Sequence, residues 1–597
     1  MIPGNANPLL LASAAADAGA AGPIKSVRFN SADSAYLNRT PSSAGNRRTF
    51  TFAFWIKKNY NSSIKRIFSC GPYTAGTGYR SFNITSNGGT PDPFYMWDYS
   101  GGYKINLIAD AAHRDDSAWY HLVWAVDTTQ ATESDRVKLY INGTQFTNWQ
   151  TAGAGTVYPA QNYETGLGLA EEMRIGTRES KTSEFLDGYL ADFYYIDGSA
   201  LDATSFGAFD DNGVWQAAAY SGTFGTNGFH LFDFANESTL GHDSSGNEND
   251  FTANNLVGSL TSYSSLLTNE TDADSWRSAA EFPAAAFDGS LSTQARVDDE
   301  GDVILLDVSS LSLTGAFEVY TNYAQSAALN DTTYDISMSA NAWTTIASDA
   351  STVNTVRFYT SARARVNAVR VNGTILTNPA PATLDVLFDV PTNGTQSDTG
   401  AGGEISGNYA TWNPLDKGSG LTLANGNLQI VSVSNDMVRS TIAMTSGKWY
   451  AEYTHGTSLG MIGIANADAD NTLYLGQSAG GVGYYYTGTT YFNNNGGVAY
   501  GASYTTGDVI GVAFDADTGS LTFYKNGVSQ GAVSYTGMSS GPYFFACGVD
   551  LMANSHMNFG QRPFAYSAPS GFSPLCTTLL PTPTIADGSD YFQTSLY

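Results

Sequence analysis

Catalysis on this chain would need metal ligands, an activated nucleophile or paired carboxylates. Its six histidines are His113, His121, His230, His242, His455 and His556. None has a second histidine three to five residues away, and no cysteine completes the pairing typical of zinc sites. Gly-x-Ser-x-Gly occurs at Ser458, Ser478, Ser529 and Ser539. A nucleophile elbow places such a serine on a strand-to-helix turn, and no helical pattern follows any of the four. A stretch this rich in Gly and Ser produces such matches by chance. Asp187 and Asp192 could form a glycosidase carboxylate pair, but their odd spacing puts them on opposite faces of a strand. The residues point away from an enzyme.

Binding chemistry is better represented. The segment Gly241-His242-Asp243-Ser244-Ser245-Gly246-Asn247-Glu248-Asn249-Asp250 concentrates oxygen donors in a short loop. Calcium takes several oxygen ligands from flexible turns, which makes Asp243, Asn247 and Asp250 candidate ligands. The same residue types also build turns without a metal. Two aromatic clusters combine flat rings with polar neighbours: Tyr95, Trp97, Tyr99 and Tyr103, and then Tyr484, Tyr485, Tyr486, Tyr491 and Asn493. Sugars stack C–H faces on rings and direct hydroxyls to amides, the division of labour common to small-ligand sites. Both clusters are expected in loops as glycan contacts. Tyrosine also packs on sheet faces and at protein–protein contacts, so three uses stay open.

The elements that must position these groups are strands. Phe50, Phe52, Phe54 and Ile56 alternate along one strand, as do Ile510, Val512 and Phe514 along another. Three alternating runs end in Asn-Gly, at Asn142-Gly143, Asn372-Gly373 and Asn526-Gly527. A type I′ hairpin turn needs positive φ at both central residues, which Asn-Gly supplies. One such hairpin in each third of the chain predicts three antiparallel modules. The expected class is all-β: three tandem jelly-roll-like β-sandwiches behind a short amino-terminal arm.

Composition agrees with that class. The 597 residues include 62 Gly, 36 Tyr, 31 Phe and 10 Trp, and only 14% are charged. This is neither a disordered chain nor a helical bundle. With 28 Lys and Arg against 55 Asp and Glu, the net charge is −27. Nucleic-acid binding requires clustered cations to displace counterions. Arg47-Arg48 and Lys57-Lys58 are the nearest approach and read as solvated charges beside strands. Cys70, Cys547 and Cys576 make no disulfide framework; Cys547 and Cys576 could pair, although Cys547 lies in an apolar run and reads as a buried thiol. No apolar stretch reaches membrane-span length. The start, Met1 to Ala21, has no Lys or Arg before Lys25 to open a secretory signal and reads as an arm that packs on a partner.

Ordered motifs carry family resemblances. The strands Ser26–Asn30, Phe50–Lys57, Trp119–Asp127, Val137–Gly143, Met173–Gly176 and Phe185–Phe193 together resemble the concanavalin A-like, laminin-G-type jelly roll. Gly447–Glu452, Met461–Ala465 and Gly507–Asp515, running on to Gly519–Gly527, resemble the SPRY sandwich. The middle module looks like a galactose-binding or discoidin-type sandwich through Ala286–Thr293. Gln294-Ala295 stands where that family has tryptophan, a departure that argues against ligand binding by this module. The resulting division is an arm at 1–23, sandwiches at 24–260, 279–376 and 407–580, a linker at 377–406 and a tail at 581–597.

The combination resembles tail-fibre and appendage proteins of tailed bacteriophages. The start Met1–Leu10, Arg28–Leu37 and Asp389–Gly394 carry that likeness. The resemblance implies a non-catalytic virion protein on the tail or a surface appendage. Its arm would dock to other virion proteins, its sandwiches would meet host surface glycans, and it would form a homo-oligomer, a trimer if it is a fibre. No cofactor is implied beyond the calcium considered above. A capsid-decorating or tail-structural protein without a receptor role, or a secreted adhesin or polysaccharide-processing enzyme, are the alternatives.

Overall fold

The computed structural model describes residues 23, 25–59, 63–72, 80–86, 93–111, 113, 115, 117–151, 155–210, 213–232, 240–257, 266–271, 276–277, 283–287, 290–309, 313, 315–376, 384–391, 397–432, 434–535, 541–548 and 552–581. The expected arm and tail therefore lie outside the described residues, apart from Pro23 and Pro581. The protein is all-β with antiparallel sheets. It divides into two compact units: residues 1–258 with 384–597, and residues 259–383. The first and last sandwiches share a unit, and the middle module lies between them in the sequence as a unit of its own.

The first sandwich uses β1 (Ser26–Phe29), β2 (Tyr36–Arg39), β3 (Thr49–Lys58), β4 (Lys65–Cys70), β5 (Arg80–Ser86), β6 (Phe94–Ser100), β7 (Tyr103–Ile108), β8 (Trp119–Asp127), β9 (Val137–Ile141), β10 (Thr144–Phe146), β11 (Met173–Ile175) and β12 (Gly188–Asp197). One sheet runs β10-β9-β8-β3-β12-β1 and ends on Val386–Leu387; the other runs from Thr252–Asn254 through β2-β11-β4-β5-β6-β7. Phe50, Phe52, Phe54 and Ile56 of β3 fill the core between the sheets. Ala53 and Trp55, on its other face, pack with Trp119, Tyr194 and Trp215. Both faces of β3 are buried, which is why its sequence is apolar almost throughout.

The last sandwich pairs two sheets around a core that includes Trp412, Trp449, Ile464, Phe514 and Phe545. The inserted unit is a smaller two-sheet sandwich around Ile304, Phe317, Val356 and Phe358. All three Asn-Gly hairpins form as their sequences require. Their φ values are 47° and 78° at Asn142-Gly143, 49° and 78° at Asn372-Gly373, and 48° and 77° at Asn526-Gly527.

The segment expected as a linker, 377–406, does not behave as one where it is described. Val386 and Leu387 pair with Val27 and Ser26. Asp385 Oδ1 accepts from Arg28 Nε and Nη2 at 3.2 and 2.9 Å. Asp389 Oδ2 lies 2.8 Å from Lys57 Nζ, and its Oδ1 accepts from Trp119 Nε1 at 3.1 Å. Lys57 also donates to Asn408 Oδ1 and the Tyr409 carbonyl. Lys57 and Lys58 are therefore buried rather than solvated; the chain returning from the insertion covers Lys57, and Lys58 donates to the His113 carbonyl. Burial pushes the Asp385 and Asp389 carboxyls up, against the pull of Arg28 and Lys57. Tyr189 OH, donating to the Gly426 carbonyl at 2.6 Å, ties the first sandwich directly to the last.

Candidate functional site

The first aromatic cluster lies on strands, not in a loop. Tyr95, Trp97 and Tyr99 are on β6, and Tyr103 opens β7 after the Gly101-Gly102 turn. Phe94 and Met96 alternate with them and point into the core. Tyr95, Trp97 and Tyr99 consequently share the outer face of the sheet. Tyr103 meets Trp97 and Tyr99 edge-on, with ring centres 6.2 and 5.4 Å apart. Only Tyr103 is well exposed, at 46%; Tyr95 and Trp97 are buried, which corrects their expected role as open loop contacts. The Arg66 guanidinium lies 4.9 Å from the Trp97 ring centre and covers it.

Register places further groups on that face. Asn38, Arg174, Ser69, Asn83, Trp97 and Asn106 stand opposite one another on β2, β11, β4, β5, β6 and β7. Five strand spacings make this row about 24 Å long. Each member carries hydrogen-bonding capacity, and only Trp97 was marked in the sequence. Ser69, Asn83 and Asn106 each sit between apolar neighbours, the alternation that marks them as outward-facing. Their alignment across six strands depends on pairings that no local pattern reveals.

The second cluster is split by its strand. Tyr484, fully buried, faces the core with Tyr504 and Phe523; this corrects its place among the glycan contacts, because period 2 turns it away from Tyr485. Tyr485 and Tyr491 share the outer face, with ring centres 5.6 Å apart. Tyr486 lies 4.6 Å from Tyr485, and Tyr474, which the sequence reading missed, lies 5.9 Å from Tyr491. All four are half-buried. Beside them, exposed Asn493 and Asn494 hold left-handed φ values of 48° and 52°. Rings standing edge to face with amides alongside can contact both the C–H face and the hydroxyls of a sugar.

The 241–250 loop is organised by its own donors. Asp243 Oδ1 accepts from the main-chain N–H of His230 and Ser245, and Oδ2 from Ser245 Oγ and the Asn249 N–H, all at 2.8–2.9 Å. Asn247 Nδ2 donates to the Gly225 and Gly228 carbonyls, and Asp250 Oδ1 accepts from Asp243 N–H. Asp243 is saturated, so Asp243, Asn247 and Asp250 do not assemble a calcium cage. Among the described residues, no group of three or more His, Cys, Asp or Glu could hold a metal ion. Cys70, Cys547 and Cys576 are buried free thiols. Burial pushes Cys70 and Cys576 up to about 12, keeping both protonated.

The His121 imidazole is buried beside Trp55 and accepts from Trp215 Nε1 at its Nδ1, 3.0 Å away. Burial lowers it to about 4, in keeping with a neutral ring that offers a lone pair to the indole. Glu452 is pushed up to about 7 by burial, although the Ala565 and Tyr566 N–H groups and Tyr450 OH donate to it.

Comparisons with known proteins agree with this architecture. Residues 30–204 match the concanavalin A-like lectin/glucanases superfamily, and residues 448–562 match the SPRY domain. Over 143 residues the chain is 33% identical to the E3 ubiquitin-protein ligase RKP of Arabidopsis thaliana, covering 23% of this chain and 11% of that protein. Over 106 residues it is 34% identical to the dual specificity protein kinase splA of Dictyostelium discoideum, covering 17% of this chain and 4% of that protein. The chain thus spans only a small part of these relatives. The crystal structure of the TRIM65 PSpry domain aligns over 25% of this chain and 90% of that domain, with 14% identity and a TM-score of 0.21. The protein carries a concanavalin A-like lectin/glucanase domain in its first sandwich and a SPRY domain in its last.

Proposed function

We propose that the protein is a non-catalytic structural protein of a bacteriophage virion, a tail fibre or appendage, that attaches to glycans on the host surface. The observation that carries this reading is the outward tyrosine cluster of the SPRY sandwich. There Tyr485, Tyr486, Tyr491 and Tyr474 stand edge to face beside the Asn493-Asn494 turn. Rings fixed by a sheet lose little freedom on binding, which favours contact with repeated sugar units. Lys57, which donates to Asn408 and the Tyr409 carbonyl, and Tyr189, which donates to the Gly426 carbonyl, join this sandwich to the lectin-like one, so both would present their faces from a single body. Residues 1–23 would dock to other virion proteins. Exposed edge residues such as Val498 and Val528 offer pairing surfaces for a homo-oligomer, a trimer in a fibre.

The test is adsorption. Purified protein added to host cells should block particle attachment, and Tyr485→Ala with Tyr491→Ala should remove the block. Particles that lack residues 407–580 and still adsorb normally would favour a capsid-decorating or tail-structural protein without a receptor role.

A further inference from the structure

The outer face of the first sandwich is occupied by a segment of its own chain. Leu186 N–H donates to the Gly176 carbonyl at 2.8 Å and closes Thr177–Phe185 into an Ω loop. This loop rests on the polar row. Ser69 Oγ donates to the Thr177 carbonyl at 2.8 Å, and Asn83 Nδ2 donates to Glu179 Oε1 at 3.0 Å. Arg66 N–H donates to the Glu184 carbonyl at 2.9 Å, and Glu184 Oε2 lies 2.7 Å from Arg66 Nε. Two loop carboxylates thus occupy the amide and the guanidinium that flank Trp97.

The fit is imperfect in a specific way. Asn83 and Glu179 are almost fully buried, yet Asn83 Oδ1 and Glu179 Oε2 have no hydrogen-bond partner among the described residues. Arg66 Nε and Glu184 Oε2 touch as charges, but neither makes an aligned hydrogen bond, and Arg66 Nη1 is unpaired. Lys181 and Glu184 hold left-handed φ values of 56° and 59°, uncommon for side chains of their kind. Unpaired acceptors and donors at this depth are what a better-matched ligand would satisfy.

We propose that the Thr177–Phe185 loop is a built-in stand-in for an acidic glycan. When it is displaced, Arg66 takes a sugar carboxylate in the bidentate geometry that Glu184 fails to reach. Asn83, freed from Glu179, takes a hydroxyl, and Trp97, relieved of Arg66, offers its ring face. The ligand class is a polysaccharide with a carboxylate on its sugar units. The loop keeps the groove shut toward chance anions, and the Arg66 guanidinium sets the preference for a charged sugar over a neutral one. This inference rests on the glycan-attachment reading and adds to it a charge preference and a gate.

The test uses the full-length protein, with polygalacturonate and a neutral dextran of similar length as probes. The double variant Glu179→Gln, Glu184→Gln keeps the loop's main-chain bond to Arg66 and removes the two carboxylate charges that face Asn83 and the Arg66 guanidinium. Polygalacturonate affinity should rise at least tenfold with dextran binding unchanged, and adding Arg66→Gln should cancel the gain. A control that removes two exposed acids elsewhere, Glu133→Gln with Glu248→Gln, should show no such gain. Should the double variant melt early, Glu184→Gln alone decides the matter by the same criterion. No gain in a folded variant, or a gain that survives Arg66→Gln, overturns the inference. If wild-type protein binds host glycans while the variants show no gain, only the gate fails. If it binds no host glycan at all, the attachment reading fails.

Discussion

Lys57 Nζ and Asp389 Oδ2 meet at 2.8 Å across 332 residues of chain, both buried. The pair, with Arg28–Asp385 beside it, fixes the strand that returns from the inserted module against the first sandwich. Removing one partner of such a pair strands the other charge in a dry site. Asp389→Ala should therefore cost about 3–5 kcal/mol of unit stability. The double replacement Lys57→Met, Asp389→Leu should cost less than either single change. Urea denaturation of Asp389→Ala, of Lys57→Met and Asp389→Leu singly, and of the double replacement checks both statements.

Two buried groups should give opposite pH signatures. His121 is lowered to about 4 from 6.5, so folding favours its neutral form. Its contribution is complete above pH 6.5 and is lost as pH falls through 4. Glu452 is raised to about 7 from 4.5, so folding favours its protonated form. Its contribution is complete below pH 4.5 and is lost as pH rises through 7. Each is worth about 1.4 kcal/mol per pH unit within its window. Relative to wild type, Glu452→Gln should gain stability as pH rises from 4.5 to 7. His121→Gln should lose relative stability as pH rises from 4 to 6.5. Melting temperatures measured at half-unit steps test the two slopes, whatever constant offset each substitution adds.

Two hairpin glycines separate backbone strain from crowding. Gly143 and Gly373 both hold φ of 78°, so Ala at either position costs about 1 kcal/mol. A Cβ on Gly143 would lie 2.1 Å from Trp215 Cε3, whereas one on Gly373 meets nothing within 4 Å. Gly143→Ala should thus cost about 2–4 kcal/mol in total, by displacing the ring that donates to His121. Gly373→Ala should stay near 1. Calorimetry of the two variants gives the comparison.

Much of the fold was legible because it is written in local patterns. Phe50, Phe52, Phe54 and Ile56 alternate, and Asn142-Gly143 and its two counterparts dictate their turns. The family motifs Trp119–Asp127 and Gly507–Asp515 lie where the matching domains are found. The clasp was not legible. Asp385 and Asp389 sit in a stretch flanked by prolines and glycines, and nothing near them signals Arg28 or Lys57 as partners. The site was half legible. Period 2 puts Tyr485 and Tyr491 outside and Tyr484 inside, but the Gly- and Tyr-rich run around them carries no local signature that separates strand from loop. Arg66 over Trp97 and Glu179 on Asn83 depend on sheet register and on a loop folding back, neither of which has a local signature.

The most direct measurement of the central claim is binding of the purified, full-length protein to glycans from the host surface. It should be made with wild type and with Tyr485→Ala, Tyr491→Ala. Loss of ring contacts at the centre of a site should weaken binding at least about tenfold, equivalent to about 1.4 kcal/mol, with the fold unchanged by circular dichroism. Binding that is equally strong in the folded variant would contradict the account.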